Sequence, residues 1–156
     1  MHGDASHASL PDGSSQGAFI VFIRGADKHA IPVLWRSKKL KRVTKSPLAS
    51  EILAVGEASD GGIFIANVVK ELYKLKQMPK VTCITDSKSL KDNLNTSNTV
   101  DDMSVRVEMA RLREMVNRNE IKYVWVQSKE NLADVMTKKT ASSDALLDVL
   151  MSGQHM

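Results

Sequence analysis

The chain holds one cysteine, Cys83, in 156 residues, so no internal disulfide can form and a disulfide-stapled secreted scaffold is excluded. Cys83 falls in an apolar strand-like run, where it reads as an inert core thiol in a reducing, intracellular setting. No uninterrupted apolar run reaches the length of a bilayer span, and the first residues lack a secretory apolar segment. A membrane partner is therefore not expected. Repeats, low-complexity tracts and inter-domain linkers are also missing, which leaves one domain over residues 1–156, with a core over about 1–140 and a C-terminal helix over about 142–152. Aromatic residues make up only 4%; Trp35 and Trp125 are expected to pack on a sheet, and Met103, Met109 and Met115 on helix faces. What remains is ordinary for a globular protein: 42% apolar and 26% charged residues. The net charge of +4 is compatible with a polyanionic partner, although charge balance alone selects none.

Period-two patterning opens the chain. A short strand start precedes the turn-rich Leu10–Ser15 loop; Ala18–Ile23 and Ala30–Trp35 read as strands, and Pro32 marks an edge or a bulge. From Ser46 the period becomes helical through Leu48, Ile52, Val55, Ile63, Ala66, Val69, Leu72 and Tyr73. Asp60-Gly61-Gly62 is expected to kink or split this helix, because paired glycines disfavour a helix interior. Pro79 stops it, and Val81–Thr85 reads as a buried strand. A short helix over Ser87–Leu94, a polar loop over Asn95–Asn98 and a helix with Val105, Met109, Leu112 and Val116 on one face follow. Thr99-Val100-Asp101-Asp102 has capping-box spacing ahead of that helix. Lys122–Gln127 reads as a strand, Asp134–Lys138 as a short helix, and Ser142–Met151 as a terminal helix capped by Ser142 or Ser143. The order βββα-β-αα-β-α describes an α/β fold with a mixed sheet flanked by helices.

Four acids occupy positions where acids are costly. Asp4 lies in the opening segment just before a turn; Glu51 shares a helix face with Leu48 and Val55. Asp86 ends the Val81–Thr85 strand, and Asp134 opens a helix-like stretch after the last strand. Taken singly, each has a plain structural reading: a turn residue, a rim glutamate, a helix cap and a first-turn aspartate. Four carboxylates on apolar stripes and strand ends call for a common partner, and a pair of divalent cations is the most economical one.

These residues also carry a family resemblance. Ile84-Thr85-Asp86-Ser87 resembles the third acidic motif of retroviral and retrotransposon ribonucleases H. Trp35-Arg36-Ser37-Lys38-Lys39, Ser50-Glu51 and Leu132-Ala133-Asp134-Val135-Met136-Thr137-Lys138 resemble the ribonuclease H domain at the C-terminal end of copia-type retrotransposon polyproteins, in matching order over roughly residues 2–140. The resemblance implies a ribonuclease H-like mixed five-stranded sheet flanked by helices, with Asp4, Glu51, Asp86 and Asp134 as catalytic and metal-binding acids. It implies two Mg²⁺ ions, with Mn²⁺ as a substitute, and an RNA–DNA hybrid as substrate. It further implies a place in a larger reverse transcriptase polyprotein, in the cytoplasm or a virus-like particle. Two departures stand out. The loop before Asp134, Gln127–Asn131, lacks the histidine that many ribonucleases H carry; the chain's histidines are His2, His7, His29 and His155. Only three residues precede Asp4, so Asp4 is expected to be held less rigidly than in the parent polyprotein.

The connector after Trp35 holds Arg36, Lys38, Lys39, Lys41, Arg42 and Lys45 without an acid. A solvated connector is the plain reading. Joining a strand to the helix that carries Glu51, it is instead expected to bind nucleic acid through Lys38, Lys39, Lys41, Arg42 and Lys45, with Ser87 beside the third acid. The expected activity is hydrolysis of the RNA strand of a hybrid. The alternatives are an integrase-like enzyme, disfavoured by the fourth acid, and a non-catalytic nucleic-acid-binding or assembly module.

Overall fold

The strands are β1 (His2–Ser6), β2 (Gln16–Arg24), β3 (Ala30–Lys39), β4 (Val81–Thr85) and β5 (Ile121–Trp125). They form one sheet in the order β3-β2-β1-β4-β5. The first three make an antiparallel meander, while β1–β4 and β4–β5 run parallel, so the sheet is mixed. The helices are α1 (Pro47–Leu72), α2 (Lys88–Leu94), α3 (Arg106–Asn117) and α4 (Asp144–Ser152). This computed structural model describes residues 1–96 and 99–154. Part of the expected polar loop, Ser97 and Asn98, and one of the histidines, His155, lie outside the described residues.

The core forms where α1 and α3 meet one face of the sheet. Phe19 and Val21 of β2, Cys83 of β4 and Tyr123 of β5 pack there with Ile52, Val55, Met109 and Leu112. Burial pushes the Cys83 thiol up to about 12, in keeping with an inert core position. Helix α1 starts where its capping chemistry predicts: the Ser46 side chain accepts from the Ala49 N–H at 3.1 Å, and Pro47 occupies the first turn.

Several expectations are corrected. Helix α1 runs unbroken through Gly61 and Gly62. A Cβ on Gly61 would stand 3.0 Å from the Phe19 ring, and one on Gly62 only 2.3 Å from the Met1 sulfur. The glycines thus let the helix approach the sheet closely, and packing outweighs their poor helix propensity. By length and composition α1 is also long and apolar enough to cross a bilayer, contrary to the residue-run reading; here half of that stretch is buried against the sheet. Leu72 and Tyr73 end the apolar stripe exposed. Asp102 caps the 3₁₀ turn Met103–Val105, so α3 begins only at Arg106 and Met103 is exposed. The expected helix after Asp134 is a 3₁₀ turn, Asp134–Met136. Trp35 and Trp125 are both exposed instead of packed. Pro32 does lie in edge strand β3, where the pairing register shifts opposite Val21/Phe22.

Candidate active site

Asp4 lies in the middle of the sheet. It sits inside β1, pairs with Ala18 of β2 and is fully buried. The start of β1 is anchored as well: the Met1 amino group donates to Thr82 O, and the Ile84 N–H donates to Met1 O, both at 2.8 Å. The expectation of a loosely held Asp4 therefore gives way to a position on a strand with neighbours on both sides. Its Oδ2 accepts from the Thr137 hydroxyl, while Oδ1 is buried without a hydrogen-bond donor.

Asp86 follows the last residue of β4 at the carboxyl end of the sheet, where open α/β folds commonly place ligands. It does not cap α2. That role belongs to Ser87, whose Oγ accepts from the Leu90 N–H at 3.3 Å. The Ser87 hydroxyl, expected to face nucleic acid, is thus engaged by the helix it starts. The Asp86 carboxylate instead accepts from Ser128 Oγ at 2.6 Å and from Asn131 Nδ2 at 3.0 Å. Asn131 is buried and also donates to Gly3 O at 3.1 Å, so one amide ties β1 to the end of β4. The exposed Trp125 adds an indole N–H donated to Asp86 O at 3.0 Å.

Asp134 reaches the same place from the segment after β5. A carboxylate oxygen from each of Asp4, Asp86 and Asp134 lies within 4.8 Å of the other two, a grouping that could hold a metal ion. Glu51 stands outside this tight triad but faces it. Its Oε1 accepts a long bond from the Ala5 N–H at 3.4 Å, and Oε2 is buried without a partner. The Glu51 carboxyl is pushed up to about 9, first by burial and then by the charges of Asp4 and Asp86. Asp4 is pushed up to about 7 by burial, against the Thr137 hydrogen bond and with the Asp86 charge adding to the rise. Orphaned buried carboxylate oxygens and an all-oxygen donor set fit a hard divalent cation such as Mg²⁺ or Mn²⁺.

Lys138 is the cation of the cluster. Its Nζ pairs with Asp134 and lies 3.7 Å from Asp4 Oδ1. Burial works against the ammonium, but the Asp134 hydrogen bond and the charges of Asp4, Asp134 and Asp86 outweigh it, so its pKa lies above the ordinary lysine value. Thr137 and Lys138 belong to the motif around the last acid, yet nothing in their type or spacing singles them out. Ser128 and Asn131 are equally silent in the sequence, as polar residues of a loop distinguished only by its missing histidine.

The basic connector is less free than its composition suggests. Lys38 pairs with Glu57 at 3.0 Å, Lys39 pairs with Asp12, and Arg42 donates to Ser104 O at 3.5 Å. Lys41, Arg42 and Lys45 are exposed. The segment is pinned at both ends. Leu40 is buried and donates its N–H to Ser15 O, while Thr44 joins a hydroxyl cluster with Ser15 and Ser50 around His7 Nδ1. Across the sheet Ser37 aligns with Ala18 and Ala18 with Asp4, so Lys38 and Lys39 continue past the level of the buried acid.

No family model matches the chain, and no curated protein matches its sequence. Solved structures share its fold. One is the ribonuclease H1 of the halophilic archaeon Halobacterium salinarum NRC-1, at 15% identity and a TM-score of 0.60, covering 94% of this chain and 96% of that one. The fold is ribonuclease H-like. Another is LC11 ribonuclease H1, solved in complex with an RNA/DNA hybrid, at 13% identity and a TM-score of 0.60, covering 93% of this chain and 96% of that one. The expected mixed five-stranded sheet with flanking helices is what the chain and these structures share.

Proposed function

We propose that the chain is a ribonuclease H that hydrolyses the RNA strand of RNA–DNA hybrids, acting in reverse transcription as part of a copia-type retroelement polyprotein. The observation that carries this reading is the convergence of Asp4, Asp86 and Asp134 from three separate segments, with Glu51 facing them, on a ribonuclease H-like sheet. The hybrid bound by the LC11 enzyme supports the substrate class. The retroelement context rests on the motifs around Asp86 and Asp134, and an intracellular setting follows from it.

Asp4, Asp86 and Asp134, with Glu51, would hold a pair of Mg²⁺ ions, for which Mn²⁺ is a substitute. When bound, divalent cations of this kind supply an activated water and neutralise charge at the leaving oxygen. The protein's part is to orient the acids. Ser128 and Asn131 fix both oxygens of Asp86, and Thr137 fixes one oxygen of Asp4. Hybrid selection would come from groove shape and 2′-hydroxyl contacts. The exposed cations Lys41, Arg42 and Lys45, together with Lys38 and Lys39 at the end of β3, would track the phosphates.

The test is incubation of end-labelled RNA–DNA hybrid, RNA duplex and DNA duplex with and without Mg²⁺. Cleavage restricted to the RNA of the hybrid and lost in chelator is expected. Mn²⁺ should replace Mg²⁺, whereas Ca²⁺ should permit binding with little turnover, because it tolerates looser geometry. Cleavage that persists in excess chelator would contradict the reading.

A further inference from the structure

We propose that Lys138 is a tethered cation that stands in the metal position of the acid cluster and must withdraw before a divalent cation enters. The inference rests on the metal reading of the cluster. Three carboxylates with oxygens within 4.8 Å of one another repel, and Asp4 is fully buried, so water screens that repulsion poorly. Among the described residues, the ion pairs that reach these acids, to Asp134 and to Asp4 Oδ1, both come from Lys138. Asp4 Oδ1 is also buried and, like Glu51 Oε2, has no hydrogen-bond donor. The lysine thus faces the oxygens a metal would need.

Local backbone geometry puts it there. The 3₁₀ turn at Asp134–Met136 folds back on itself, so the Thr137 and Lys138 N–H groups both donate to Asp134 O, at 3.1 and 3.0 Å. The Thr137 hydroxyl then reaches Asp4 Oδ2, and the Lys138 side chain lies over Asp134 toward Asp4 Oδ1. The two neighbours divide the work. Thr137 fixes the Asp4 carboxylate through one oxygen, and Lys138 brings its charge to 3.7 Å from the other. A divalent cation drawn to the same oxygens cannot share them with an ammonium group. Lys138 can leave, since its side chain is 38% exposed on a flexible four-carbon stem. The device keeps the acids compatible with the folded state when metal is absent, and it weakens metal binding by competition.

The test compares the full chain with its Lys138→Met and Lys138→Arg variants, without nucleic acid. Mg²⁺ affinity is measured by titration calorimetry, and melting temperature in excess EDTA and in saturating Mg²⁺. Lys138→Met is expected to bind Mg²⁺ more tightly, by roughly 5- to 150-fold, the usual size of a coupling between two binding events. In EDTA it should melt below the parent, and saturating Mg²⁺ should close or reverse that gap. Lys138→Arg retains the charge and should stay near the parent in both measurements. Lys138→Gln, measured alongside, guards against a folding defect caused by the apolar side chain. Unchanged or weaker Mg²⁺ binding by Lys138→Met and Lys138→Gln would overturn the proposal, as would equal melting in EDTA. The EDTA comparison involves neither metal nor hybrid, so it separates failure of this inference from failure of the ribonuclease reading. If the parent cleaves hybrid while the variants keep its Mg²⁺ affinity, only the inference falls.

Discussion

Asp4 and Glu51 are the acids whose chemistry the fold changes most, with carboxyls pushed up to about 7 and about 9, chiefly by burial. Both values lie above those of the unfolded chain, so between about pH 4 and pH 9 the metal-free native state holds protons that the unfolded state has released. Their contribution to stability is therefore complete below the unfolded values and is lost as pH rises through the folded ones. Melting in EDTA should shift to lower temperature from pH 5 to pH 9, and the Asp4→Asn/Glu51→Gln double variant should flatten that slope. A melting temperature that rises with pH over this range would refute the assignment. Asp86 makes a second residue-scale test. Asp86→Asn should cut hybrid hydrolysis by at least ~100-fold, because an amide keeps the shape but loses the charge that holds a cation. Its effect on stability should stay within about 1 kcal/mol. Relief of carboxylate repulsion favours the variant, while its amide keeps both contacts only with its oxygen toward Asn131 Nδ2 and its nitrogen donating to the Ser128 hydroxyl, which must turn from donor to acceptor. Melting curves and the labelled-hybrid assay check both halves.

Helix α1 shows how packing overrules local preference. Propensity predicts a break at Gly61-Gly62, yet the helix continues, because a missing Cβ lets it settle against Phe19 and Leu34 on one side and Met1 and Val81 on the other. Gly61→Val would force a branched side chain into a gap where Cβ already meets the Phe19 ring at 3.0 Å and Leu34 at 3.2 Å. Overpacking of this kind should lower unfolding free energy by roughly 1–3 kcal/mol, measurable by denaturant titration. An unchanged midpoint would show that β2 and β3 move aside without strain. Glu51 depends on this element. It is held one turn inside the helix whose approach to β1 brings Gly3 close to Val55 and Ala58.

At the scale of the whole molecule, the connector between β3 and α1 carries the phosphate-binding proposal. The cations divide into Lys38 and the exposed Lys39 at the end of β3, paired with Glu57 and Asp12, and the exposed Lys41, Arg42 and Lys45 of the connector itself. Replacing Lys41, Arg42 and Lys45 with Gln should weaken hybrid binding at any sequence and reduce the log–log salt slope by roughly 0.7–0.9 for each phosphate no longer neutralised. Replacing Lys38 and Lys39 should change the slope less, since internal acids already neutralise them. Binding isotherms over a range of salt concentrations distinguish the two sets. A slope unmoved by the exposed triple substitution would route the hybrid elsewhere on the surface.

In the sequence alone, the alternation of β2 and β3, the helical stripe of α1 and the apolar run of β4 are legible because each follows from a short-range period and a burial preference. Glu51 and Asp86 are legible for the same reason, since a carboxylate on an apolar stripe or at the end of a buried strand stands out, whereas the burial of Asp4 inside β1 belongs to the fold. Position along the chain carries no distance, so it cannot say that Asp4, Asp86 and Asp134 form the tight triad while Glu51 stands just outside. Nor can it assign Lys138 to the cluster, or Ser128 and Asn131 to Asp86. Those polar residues match no periodic pattern, and their partners are remote: Thr137 bonds to an Asp4 that lies 133 positions away. The same limit hides the pairing of Lys38 with Glu57 and the tolerance of α1 for two glycines. Such features depend on strand order and on how closely a helix meets a sheet, and only the assembled fold decides those.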